Sequence, residues 1–113
     1  PEILGNLCRQ FKLMARQHRL IIFLIAHTRK IKGDRNRPTI EDLKDSSGIA
    51  QEADTVLIVQ RKGKRRSKKN DDEESFDFST DVNLWIEKNR RTGRLGVINM
   101  KYDMENKIHL EYE

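Results

Sequence analysis

Leu84-Trp85-Ile86-Glu87-Lys88-Asn89-Arg90-Arg91-Thr92-Gly93-Arg94-Leu95-Gly96-Val97-Ile98 reads as a strand, a basic tip and a returning strand. Leu84 and Ile86 alternate with Trp85 and Glu87, the period of two of a half-buried strand. Thr92-Gly93 supplies the turn, because glycine takes positive φ without steric cost. Lys88 and Arg90 are two residues apart, so in a continuing strand both leave one face, about 6.6 Å apart. Two cations on a stiff projection can grip one polyanionic group. The same pattern also fits a solvated hairpin tip, and the residues alone leave both readings open.

Working outward from that hairpin, Lys107-Ile108-His109-Leu110-Glu111-Tyr112 alternates cleanly. It joins Ile98-Asn99-Met100-Lys101-Tyr102 through the turn Asp103-Met104-Glu105-Asn106, which gives a three-stranded antiparallel meander over 81–113. Before it, residues 61–75 are charge-segregated, basic first and then Asp71-Asp72-Glu73-Glu74. We read 61–80 as a charged flexible loop, with a nucleic-acid-binding tail as the alternative. Thr55-Val56-Leu57-Ile58-Val59-Gln60 and Leu20-Ile21-Ile22-Phe23-Leu24-Ile25-Ala26 are short apolar runs. Both fit strands buried on two faces. Between them, residues 46–53 fit a short serine-capped helix. At the amino end, Ile3, Leu4, Leu7, Cys8, Phe11, Met14 and Ala15 recur at spacings of three and four, one apolar stripe on a helix. A helix followed by a doubly buried strand predicts an α/β fold.

His27 stands at the carboxyl end of the Leu20–Ala26 run, the edge where ligands bind in open α/β sheets. It can donate to a phosphate there or be satisfied by nearby backbone. The stretch 28–45 carries Gly33, Asp34, Asn36 and Pro38, and its six cations include Arg37 and Lys44. Such a loop suits a nucleic-acid backbone, and equally a solvated surface.

The 113 residues make one domain or part of one, with 35% hydrophobic and 36% charged residues. The net charge is +5. Arg61, Lys62, Lys64, Arg65, Arg66, Lys68 and Lys69 supply seven positives, and without them the remainder is −2. The basicity therefore belongs to one segment, not to the surface at large, and is weak evidence for nucleic acid on its own. No apolar run is long enough for a transmembrane helix, and no signal-peptide pattern appears. The single Cys8 has no internal partner for a disulfide and fits a reducing compartment. Metal-ligand spacing is missing among His18, His27, His109 and Cys8. The glycine-rich phosphate loop is absent too: Gly63-Lys64 has Ile58 where the first glycine belongs. Pro1 opens directly on a helical pattern, so we expect a piece of a longer protein.

In their order, these elements resemble the carboxyl-terminal part of the RecA-like motor domain of replicative DNA helicases. The families are the DnaB helicases, the phage helicase-primases and the mitochondrial Twinkle helicases. The resemblance is carried by His27, Arg37-Pro38, Asp42-Leu43, Ser47-Gly48, Gln51-Glu52-Ala53-Asp54 and Lys88-Asn89-Arg90-Arg91-Thr92-Gly93. Gln51-Glu52-Ala53-Asp54 and Lys88-Asn89-Arg90 look especially like the Twinkle branch. Ser47-Gly48 stands one position later than the family's S-G when the match to Gln51 is kept gap-free.

The resemblance implies a hexameric, ATP-driven helicase that moves on single-stranded DNA. His27 would sense the γ-phosphate of its own subunit's ATP. Lys88 and Arg90 would reach the neighbouring subunit's nucleotide, with Arg90 as arginine finger. Arg37, Lys44, Asp45, Ser46, Ser47 and Gly48 would lie at the DNA loop. ATP and Mg2+ would be bound mainly by residues outside this sequence, so the chain alone is expected to be inactive. Partners would be single-stranded DNA, sister subunits, and a primase or loader; the setting would be cytoplasmic, or mitochondrial for a Twinkle-like protein. The charged 61–75 stretch has no role in the family pattern. Two rivals remain: a RecA- or RadA-type recombinase core, and a non-enzymatic basic nucleic-acid-binding module.

Overall fold

The structure, a computed structural model, describes residues 2–28, 37–43, 47–66 and 75–112. Helix α1 spans Glu2–His18. Its stripe is half covered: Leu4, Cys8, Phe11 and Ala15 are half-buried, whereas Ile3, Leu7 and Met14 are exposed. The helix ends where Arg19 adopts a left-handed φ of 52°, and the Leu20 N–H donates to the Ala15 carbonyl at 2.9 Å. That six-to-one bond is the usual helix-closing device, here made without glycine. A short 3-10 turn, Ile40–Asp42, and helix α2, Ser47–Glu52, follow. The two helices pack at van der Waals distance, a Cβ added at Gly5 standing 3.4 Å from the Gly48 Cα.

Strands β1 (Thr55–Arg66), β2 (Ser75–Asn89), β3 (Gly96–Asp103) and β4 (Ile108–Glu111) form one antiparallel sheet in sequence order. The expected meander thus gains a fourth strand, because β1 pairs along β2. The register places Ile58, Trp85 and Val97 abreast on one face and Val59, Leu84 and Ile98 on the other. The first face carries the main core cluster, in which Leu43, Val56 and Ile58 are buried and Ile40, Ala50, Ala53 and Trp85 pack against them; Val82, 3% exposed, is buried outside that cluster.

Three sequence readings are corrected. Thr55–Gln60 is buried on one face only, since Val56 and Ile58 are 7% and 5% exposed but Val59 is 65% exposed. An unbroken apolar run does not reveal which face receives a layer. Leu20–Ala26 contains no strand, and Ile21, Phe23 and Ile25 are highly exposed. A strand needs a neighbour to accept its ladder of hydrogen bonds, and among the described residues only the bridge Thr28–Leu43 lies at this segment. Finally, the stretch read as loop from residue 61 is strand through Arg66, and strand resumes at Ser75. Backbone pairing continued past the point where the side chains turn basic.

The two predicted turns are present. Gly93 takes φ 74°, and its N–H donates to the Asn89 carbonyl at 2.7 Å. Asn89 Nδ2 also donates to Thr92 Oγ1 at 2.7 Å. In the β3–β4 turn Asp103 Oδ1 accepts the N–H groups of Glu105 and Asn106 at 3.0 and 3.2 Å. Asn106 also donates from its side chain to Asp103 Oδ2, and these bonds hold the Asp103 carboxyl below its ordinary range.

Candidate functional site

The end of β2 meets the end of α2, and there the two hairpin cations come together. A helix leaves its last carbonyls without partners, which makes its carboxyl end attractive to cations. Lys88 stands opposite Val56 in the β1–β2 ladder, on the face that carries α2. Its Nζ donates to the carbonyls of Ala50 and Gln51 at 2.8 and 3.1 Å. Arg90 is the first residue past β2. Its backbone N–H donates to the Asp54 carbonyl at 2.9 Å. Its Nη1 donates to Asp54 Oδ1 at 2.7 Å and its Nη2 to the Gln51 carbonyl at 3.1 Å. The two cations thus share the Gln51 carbonyl, although β2 ends at Asn89 and Arg90 reaches it from the turn.

Helix α1 supplies the other side of this cluster. Lys12 Nζ lies 3.1 Å from Asp54 Oδ1, and Arg9 Nη2 lies 3.2 Å from Glu52 Oε1. The hydrogen bond from Lys12, with the charges of Lys12, Arg90 and Arg16, holds the Asp54 carboxyl below its ordinary range against the opposing effect of burial. Burial, followed by the charges of Arg90 and Lys12, pushes Lys88 down. A like-charged group at the same carbonyls makes Lys88 easier to neutralise, and an approaching anion would reverse that.

Asp54 gives a pH prediction with a definite sign. A carboxyl held low in the folded state stabilises that state above its unfolded value, near pH 4, and the effect is lost as pH falls through the lowered value. Asp54→Asn is therefore expected to lower Tm at neutral pH and to flatten its fall in acid. Parallel acid profiles of the two proteins in thermal melts followed by circular dichroism would show that Asp54 carries no such linkage.

The other candidate residues lie apart. His27 is exposed and makes no hydrogen bond or ion pair among the described residues. Its neighbour Thr28 bridges to Leu43, which fixes the chain there. Arg37 is clamped in the sheet: its Nη1 lies 3.3 Å from Glu87 Oε2, and its guanidinium sits 4.1 Å from the Trp85 ring centroid. Trp85 Nε1 in turn donates to Gln60 Oε1 at 2.9 Å. Just beyond, Asp42 is buried and accepts the Thr39 N–H at 2.7 Å. Lys44, Asp45 and Ser46 lie outside the described residues. Ser47 opens α2 and Gly48 follows it, at the helix's opposite end from the cations.

Asp54, Lys12 and the Ala50 and Gln51 carbonyls were not singled out as partners of the hairpin. Their one signal was Gln51-Glu52-Ala53-Asp54, a motif ending a helix in an acid. Among the described residues no group of His, Cys, Asp and Glu comes together to hold a metal ion. No helix among them is long and apolar enough to cross a membrane. Paired cations suit a phosphate better than a metal, with Asp54 already competing for Arg90 at 2.7 Å.

The model of the DnaB-like helicase C-terminal domain matches residues 2–109. A probable replicative DNA helicase of Trieres chinensis is 27% identical over 111 residues, covering 96% of this chain and 23% of that protein. The replicative DNA helicase DnaB of two Helicobacter pylori strains is 39% identical over 62 residues, 53% of this chain and 13% of theirs. The chain thus spans less than a quarter of the length of these relatives. No solved structure matches it.

Proposed function

The chain belongs to the DnaB-like helicase C-terminal domain family, and from that premise we propose that it is part of a hexameric, ATP-driven replicative helicase moving on single-stranded DNA. The fold accords with this membership: a helix followed by an antiparallel sheet is consistent with the carboxyl part of a RecA-like α/β domain. The observation that carries the reading is the pairing of Lys88 and Arg90 at one hairpin end, with the Arg90 side chain 43% exposed. In a ring, such a projection faces the next subunit, where its two cations would bind the phosphates of that subunit's ATP. ATP and its Mg2+ supply the phosphoryl group and its charge neutralisation. Lys88 and Arg90 would stabilise negative charge as it builds on the transferred oxygens. His27, exposed at the end of its segment, would report the γ-phosphate of its own subunit.

Single-stranded DNA would lie at Lys44, Asp45, Ser46, Ser47 and Gly48, at the start of α2. Arg37 supports that path from the sheet, through Glu87 and Trp85. Helix α2 then links a DNA contact at one end to the cation pair at the other, a short rigid route between translocation and hydrolysis. The setting would be wherever the replicating DNA lies, cytoplasmic or mitochondrial, with a primase or loader as partner.

The test is ATP-dependent unwinding of a forked duplex by the full-length protein, with its mass in solution measured alongside. Strand exchange on open filaments, or binding without any nucleotide turnover, would replace the helicase reading by one of its rivals. Within the reading, Lys44→Ala is expected to weaken single-strand binding and to lower the salt slope by about 0.7. A slope unchanged between dilute and physiological salt would move the DNA contact away from Lys44.

A further inference from the structure

One carboxylate oxygen in the cluster holds two cations. Asp54 Oδ1 accepts Arg90 Nη1 at 2.7 Å and lies 3.1 Å from Lys12 Nζ. Two such contacts to one atom set the cations within about 6 Å of each other, where each weakens the other's hold. The Gln51 carbonyl repeats the pattern, accepting Arg90 Nη2 and Lys88 Nζ, both at 3.1 Å. Each acceptor that holds the Arg90 side chain thus has a second cation in place. The three cations are not equally placed. Lys12 stands within α1, with its side chain 18% exposed, whereas Arg90 stands past the end of β2, with its side chain 43% exposed. Helical spacing fixes Lys12 there. Arg9, Lys12 and Arg16 recur at three and four, so they share one side of α1. Arg9 meets Glu52 at 3.2 Å, and the charge of Arg16 also reaches Asp54. That side of the helix lies along the acids that close α2.

We propose that Lys12 is a positioning residue for Arg90, acting through Asp54: it holds the carboxylate so that the arginine can leave it. The proposal rests on the reading of Arg90 as a finger for the neighbouring subunit's phosphates. A guanidinium that moves to a phosphate abandons its own acceptors. Lys88 remains at the Gln51 carbonyl, and Lys12 remains at Asp54, so neither acceptor is left without a cation. Without Lys12, Asp54 would keep Arg90 as its one ion partner among the described residues, and the finger would be parked on its own subunit. Asp54 is 61% exposed, so the effect is that of a solvent-screened pair, about 2- to 5-fold in a rate.

The experiment uses the full-length protein and the variants Lys12→Met, Asp54→Asn and the two together. Methionine keeps the packed stem of Lys12 and removes its charge. At saturating ATP and single-stranded DNA, Lys12→Met is expected to lower hydrolysis about 2- to 5-fold. Adding Asp54→Asn to it removes the trap and is expected to restore the rate of Asp54→Asn alone. A lysine that merely braces α1 would give a loss that persists in the double variant. A second readout needs no turnover: the rate at which phenylglyoxal modifies Arg90 in the nucleotide-free protein, assigned by mass spectrometry of the peptide that carries it. Arg90 is expected to react more slowly in Lys12→Met and faster in Asp54→Asn. An unaltered hydrolysis rate in Lys12→Met, a loss that persists in the double variant, or equal Arg90 reactivity in all the proteins would each overturn the proposal. Circular dichroism checks the fold. If Lys12→Met misfolds, Lys12→Gln takes its place. If that too misfolds, the Arg90 reactivity of Asp54→Asn decides, and a rate equal to that of the unaltered protein overturns the proposal. The finger reading itself fails on a different result, full hydrolysis by Arg90→Ala.

Discussion

Arg90→Ala in the full-length protein is expected to lower ATP hydrolysis by about 10³-fold or more while leaving nucleotide binding nearly intact, because an arginine finger acts mainly on the transition state. The structure sharpens how this must be tested. Arg90 is held by Asp54 at 2.7 Å and by the Gln51 carbonyl at 3.1 Å, so its loss also removes local support. Asp54→Asn separates the two roles. It weakens the same support but leaves the guanidinium in place, and it is expected to keep most of the hydrolysis. Arg90→Lys keeps the charge and loses the planar fork, so it should fall between the two. Mixing Arg90→Ala with a phosphate-loop variant of the same protein then asks whose site the residue serves. Mixed rings contain interfaces with one intact loop and one intact finger, and partial activity should return. If no mixture recovers activity, Arg90 acts within its own subunit. If Asp54→Asn is as inactive as Arg90→Ala, the arginine is structural.

The hairpin at the centre of that prediction was legible because its signals are local. Alternation of Leu84 and Ile86 with Trp85, followed by Thr92-Gly93, depends on a few adjacent residues, and Gly93 indeed takes positive φ. The β3–β4 turn at Asp103 was legible for the same reason. What failed was everything that depends on a neighbour. Leu20–Ala26 has the composition of a buried strand, but burial is a property of what lies alongside, and its side chains are exposed here. Thr55–Gln60 looked apolar throughout, although a layer covers only the side of Val56 and Ile58. The site shows the same division. The spacing of Lys88 and Arg90 gave their shared face; their partners are 36 to 39 residues away on α2 and beyond it, where no periodicity points. For Arg37, given a place at the DNA loop by the resemblance, the contact with Trp85 likewise had no local signal.

Ile58 provides the largest expected stability effect. It is 5% exposed, and packs with Leu43 and Val56 among Ile40, Ala50, Ala53 and Trp85. Ile58→Ala removes three carbons from the centre of a small core and is expected to cost about 2 to 5 kcal/mol. Domains of this size are stable by about 5 to 15 kcal/mol in total, so Tm should drop by roughly 10 °C or more. Val59→Ala is the informative companion. Val59 is next in sequence, equally β-branched, and 65% exposed on the opposite face, so its truncation is expected to cost no more than about 0.5 kcal/mol. The difference between the two measures directly which side of β1 carries a layer. Should both substitutions cost the same in the full-length protein, a second layer must cover Val59 there. The same layer could then reach the aliphatic face of Leu84 and Ile98, which lie abreast of Val59 in the ladder.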